Sequence, residues 1–245
     1  MLLSGLVILA ASTLLLAAPS GDEHPLLNLE CARATSSVTI DGRGDDDAWK
    51  AVKPITDFRL WNPALGKPAE LTELRLCYDD ENVFALFSCA DPDIFVINEG
   101  RDAMLWESDC VELFFLPDAN SPIYYEFEVS PRNDVFDARI VNSGSGGFRR
   151  WAPTWNCAMR TATTIRGTLN EWRDTDEGYT VEIAIPIKAF EDANGTKPLP
   201  GQTWQFAAAR MDFSKTLKVE ERSSTANVPD MNIHKREGWF TLTFK

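Results

Sequence analysis

Between Trp106 and Arg139 the chain sets carboxylates at alternating positions of three short apolar runs: WESDCVELFFLPD, IYYEFEVSP and DVFDARI. Strand side chains alternate between two faces, so each run reads as a ribbon with an inside and an outside. The first run points Val111, Leu113 and Phe115 inward and Glu112 outward, and the second sets Tyr125, Phe127 and Val129 against Tyr124, Glu126 and Glu128. In the third, Phe136, Ala138 and Ile140 are read as inward, with Asp137 and Arg139 outward. Paired in order, the runs gather Glu112, Glu126, Glu128, Asp137 and Arg139 on one sheet face with Trp106 at its entrance. Acids and an indole around one sheet suit ligand binding. Two of the three glutamates are also the equipment of glycoside hydrolysis, provided their carboxyls stand about 5 to 10 Å apart with separated pKa values.

Further candidates lie nearby. The glycine- and serine-rich stretch NSGSGGFRRWAPTWNCAMR carries Trp151 and Trp155, placed near a ligand because loops on a rigid scaffold carry function. The alternative for each is to plug the edge of the sheets. Asp45, Asp79, Asp91 and Asp109 are candidate calcium ligands, each with a competing role as a turn former. A haem-binding electron-transfer domain is a second alternative function, resting on His234 with Met104, Met159, Met211 and Met231 as candidate partners. No CxxC or Cys/His cluster points to zinc, and the GxSxG and HExxH hydrolase motifs are absent.

The elements that must position these residues are strands. LTELRLCY and VFALFSCA form a hairpin around DDEN, the second strand apolar on both faces and therefore central. TIRGTLN, YTVEIAIPIKAF, WQFAAARMDF and a closing WFTLTFK follow, and no convincing amphipathic helix appears. Many short strands with frequent turns predict an all-β, jelly-roll-like β-sandwich of two antiparallel sheets with few or no helices. Residues 1–20 read as a secretory signal peptide, with an uncleaved N-terminal anchor as the alternative. Residues 21–30 read as a linker and 31–245 as the domain. Export makes disulfides available to Cys31, Cys77, Cys89, Cys110 and Cys157, and Cys110 is read as a small buried hydrophobe instead. A formal net charge of -13 and a pI near 4.6 disfavour nucleic acid and anionic membranes as partners. Asn194-Gly195-Thr196 is a glycosylation sequon.

Seven segments in order carry a resemblance: TIDGRGDDDAW, YDDENVFALFSCAD, RDAMLWESDCVELFFLPD, YYEFEVSP, GTLNEWRDTDEGYTVEIAIP, GQTWQFAAARMD and NIHKREGWFTLTF. Over roughly residues 31–245 the chain resembles the family 9 carbohydrate-binding modules. The resemblance implies a β-sandwich, calcium ions that stabilise loops, and a sugar held between aromatic rings with polar contacts to its hydroxyls. Trp106 and Glu112 fall on the family's WxxDxxE segment as aromatic wall and hydroxyl-binding carboxylate. Related sequences tend to carry tryptophan just before the closing histidine segment, whereas TANVPDMNIH has no aromatic, which leaves two alternatives: Trp151 or Trp155 compensates, or high-affinity sugar binding is absent. Phe240 stands where glycine usually follows Trp239, which makes Trp239 structural. The expected function is a secreted or periplasmic, non-catalytic domain that binds mono- or oligosaccharides and polysaccharide ends. Polysaccharide-degrading enzymes acting in trans are the expected protein partners.

Overall fold

A computed structural model describes residues 28–141, 155–190 and 197–245. The stretch read as a signal peptide, Trp151 and the sequon lie outside the described residues. The strands are β1 (Asn28–Arg33), β2 (Arg59–Leu60), β3 (Thr72–Tyr78), β4 (Asn82–Ala90), β5 (Cys110–Leu116) and β6 (Ile123–Val129). After them come β7 (Val135–Val141), β8 (Arg160–Arg166), β9 (Gly178–Pro186), β10 (Thr203–Asp212), β11 (Glu221–Ser224) and β12 (Phe240–Phe244). One four-residue helix, α1 (Asp47–Lys50), and a few single helical turns complete the described elements.

The chain is all-β with few helices, as its alternation predicts. One antiparallel sheet runs β7-β6-β5-β10-β12, and the other runs β3-β4-β9-β8. β1 joins them: Asn28 to Cys31 pair parallel to β12, and Ala32 and Arg33 pair parallel to β3, giving one nearly closed mixed sheet. This strand takes in three residues of the stretch read as a linker. β4 lies between β3 and β9, the central place its two apolar faces require. Its hairpin turn is held by Asp79, whose Oδ1 accepts from the backbone N–H groups of Glu81 at 2.8 Å and Asn82 at 2.7 Å.

The inner faces share one core, in which Leu113, Phe115, Tyr125, Phe127 and Phe206 of the first sheet meet Leu76, Phe87, Val181 and Ile183 of the second. Glu182, on the opposite face of β9, is fully buried. It accepts from the N–H groups of Asp41 (2.9 Å) and Gly42 (2.7 Å) and from Trp49 Nε1 (2.9 Å), which anchors the DGRGDDDAW segment to the second sheet.

The outer face of the first sheet is also covered. Phe114, Leu116, Tyr124, Phe136, Ala138, Ile140, Ala207 and Ala209 form a second apolar layer beneath Leu105, Ala226, Ile233 and Trp239. Trp239 Nε1 donates to the Ile233 carbonyl at 2.6 Å, consistent with the structural role read for it. Gly238 makes the tight return feasible, since a Cβ there would lie 2.0 Å from the Asn227 carbonyl oxygen. All five cysteines are buried and free, Cys110 among the apolar residues of the second layer.

β7 corrects the reading of its faces. The register sets Phe127 opposite Asp137 and Tyr125 opposite Arg139, and directly paired residues share a face. Phe136, Ala138 and Ile140 therefore join the glutamate face, and Asp137 and Arg139 belong to the other. Asp137 is satisfied there by the Cys157 N–H at 2.8 Å and by an ion pair with Arg101. Alternation could not distinguish the faces because both carry apolar layers.

Candidate carbohydrate site

The register of β5 and β6 puts Glu112 directly opposite Glu128, with Glu126 two pairs further along opposite Phe114. None of the three reaches bulk solvent, with exposures of 2%, 7% and 1% for Glu112, Glu126 and Glu128. They line a cavity of about 150 Å³ between the sheet and its cover. Trp106 enters from the turn before β5 and packs edge-on against Phe136, with centroids 5.6 Å apart. Trp61 enters from the segment after β2, where its backbone N–H donates to the Arg222 carbonyl of β11 at 2.8 Å. Met211, Ile140 and Ile233 supply further apolar wall, and Arg222, Asn232 and His234 the remaining polar lining.

Burial pushes the carboxyls of Glu112 and Glu128 well above the usual carboxylate range; repulsion from Glu126 adds to both, and repulsion from Glu112 adds at Glu128. Arg222 opposes the rise at Glu112. Burial raises Glu126 as well, against the pull of His234. Glu128 receives no N–H or hydroxyl donor among the described residues. Its carboxyl also meets that of Glu126, a contact that becomes a hydrogen bond when one of the two holds a proton. His234 Nδ1 lies 2.8 Å from the Tyr124 hydroxyl.

Residues 40–240 match the model of the carbohydrate family 9 binding domain-like family. The chain belongs to this family. Three solved structures similar to this family 9-like chain share its fold. A protein from Bacteroides uniformis whose carbohydrate binding is itself inferred aligns with TM-score 0.68 at 15% identity, covering 89% of this chain and 99% of that one. A family 9 carbohydrate-binding module from Caldicellulosiruptor kristjanssonii, in complex with cellotriose, gives TM-score 0.61 at 16% identity over 89% and 94% of the two chains. The glucose complex of a family 9 module from the same organism gives 0.57 at 17% identity over 88% and 95%. An extracellular protein of Arthroderma benhamiae is 26% identical over 160 residues, 63% of this chain and 67% of its own length.

In this family 9-like fold, Trp106, Glu112, Glu126 and Glu128 line one cavity. Arg139 does not join them, because the β7 register turns it to the opposite face. Trp155 packs on Tyr125 and Phe127 with centroids 5.6 and 6.1 Å away, on the inner face, as a plug at the edge of the core. Trp61 and Arg222 are lining residues with no local signal, and His234, singled out only as a haem-ligand candidate, lines the same cavity. Trp61 sits in a proline-rich connection without period, and Arg222 in a charged segment whose strand pairing is long-range.

Of the candidate calcium ligands, Asp45 is exposed beside Arg43 and Asp79 serves the β3–β4 turn. Asp91 and Asp109 do come together, joined by Asp212 at the end of β10; one oxygen of each lies within 4.8 Å of the others. Arg210 pairs with Asp91 at 3.0 Å and Asp212 at 2.9 Å. Burial, only partly opposed by Arg210, pushes Asp91 up to about 6. Asp109 is raised well above its ordinary value by burial and by Asp91.

Proposed function

We propose that this chain is a non-catalytic sugar-binding domain that acts outside the cytoplasm and holds one pyranose in the cavity under Trp61 and Trp106. The observation that carries this reading is the joint lining of one cavity by two indoles and three carboxylates. An indole covers the apolar C–H face of a pyranose while carboxylates accept from its hydroxyls. The Trp61 indole N–H is buried without an acceptor among the described residues and offers a donor to a sugar oxygen. The glucose and cellotriose complexes of similarly folded family 9 modules support the ligand class, and the extracellular relative supports the location. Polysaccharide breakdown, where it follows, is done by separate enzymes.

Hydrolysis is disfavoured by the charges. A glycosidase keeps one carboxylate ionised and a second protonated by giving them different surroundings. Here one buried environment pushes all three glutamates in the same direction. Calorimetric titration with glucose and cellotriose tests the binding reading, and no saturable heat with either sugar or with other neutral glycans sinks it.

We also propose a structural calcium ion at Asp91, Asp109 and Asp212. Its support is an all-oxygen donor set whose three acids exceed the single charge of Arg210. A bound cation would tie the loop after β4 to the starts of β5 and of the segment after β10.

A further inference from the structure

The three cavity carboxylates are not equally provided for. Arg222 faces Glu112 electrostatically, and His234 does the same for Glu126. Glu128 is 1% exposed and lines the cavity, yet among the described residues neither of its oxygens receives an N–H or hydroxyl donor. Its neighbours compound the deficit: Glu112 stands directly across on β5, and Glu126 lies two residues before it on the same face of its own strand. A neutral hydroxyl supplies one donor and leaves the excess negative charge in place. A primary ammonium supplies three donors and a positive charge.

We propose that the ligand of this site is a cationic amino sugar, a pyranose whose protonated primary amine donates to Glu128 and balances the Glu112–Glu126–Glu128 cluster. This deepens the sugar-binding reading and rests on it. The walls fit the rest of such a molecule, because Trp61 and Trp106 cover C–H faces and their rings attract a nearby cation. A metal ion is the main competitor, since Cys110 Sγ and oxygens of Glu112 and Glu128 lie within 4.8 Å of one another. It fits less well: Cys110 is buried in the apolar layer, and a bare ion leaves the large, aromatic-walled part of the cavity unused.

Calorimetry on the intact protein with glucosamine, glucose, N-acetylglucosamine, cellotriose and zinc separates the outcomes. Charge-assisted hydrogen bonds to a buried carboxylate predict glucosamine binding about tenfold or more tighter than glucose. N-acetylation removes the charge and removes the preference. In Glu128→Gln, checked for folding by its melting curve, the glucosamine-to-glucose ratio falls to about one. Equal affinity for glucose and glucosamine overturns the amino-sugar inference and leaves the sugar-binding reading standing. Saturable zinc binding with no preference for the amine overturns it in favour of a metal. Silence from every sugar overturns both readings together.

Discussion

Glu128→Gln should make the unliganded protein more stable, and the gain should depend on pH. Oxygens of Glu112 and Glu128 lie within 4.8 Å, both residues buried. Two full charges at that distance repel by about 3 kcal/mol at an effective dielectric near 20. Protonation relieves part of this, leaving a net penalty of about 2 kcal/mol in mildly alkaline buffer. Because burial and neighbouring acids raise the Glu128 carboxyl, the folded protein holds that proton more tightly than the unfolded chain does. The resulting stabilisation is complete below the unfolded value of about 4.3 and is lost as pH rises through the folded value. The isosteric amide has no charge to bury. In a chain of this size about 2 kcal/mol corresponds to a rise in Tm of about 4 to 8 °C. Thermal melts near pH 8 should show the variant above the wild type by that amount, and the gap should close toward pH 4. A variant that melts lower near pH 8, or a gap that ignores pH, refutes the reasoning.

Trp61→Ala should weaken sugar binding about tenfold, through loss of stacking and of the buried indole donor, whereas Trp155→Ala should leave affinity unchanged and lower stability. Calorimetry and melting curves on the two variants read the contrast. Calcium added to chelator-treated protein should raise Tm, by about 3 kcal/mol of stability at a hundredfold excess over Kd, and an unchanged curve in EDTA counts against the site. Glu182→Gln should cost about 3 kcal/mol in urea unfolding, because the amide cannot accept equally from Asp41, Gly42 and Trp49.

The faces of β5 and β6 were legible because each run has a clean apolar side. β7 was not, since an apolar residue there serves either of two covered faces. The depth of the glutamates was hidden for the same reason: alternating acids ordinarily mark solvent, and long-range cover from residues 225–239 together with Trp61, Leu105 and Trp106 makes this face an interior. The Trp106 and Glu112 pair was legible from the motif. Trp61 and Arg222 became neighbours through pairing between β2 and β11, a contact with no local signature. Asp212 was similarly hidden, because its partners Asp91 and Asp109 come from two other loops.

β1 sets the order in which this molecule can be completed. It hydrogen-bonds β3 soon after both have been made, but its other partner, β12, is the last strand of the chain: Asn28 waits for Thr241. Closing a loop that spans nearly the whole sequence is slow, because its entropy is lost before the contacts form. Until β12 arrives, β1 presents an unpaired edge and β10 lacks a neighbour. Slow closure of so long a loop predicts that dilute, chaperone-assisted refolding should outperform rapid concentration.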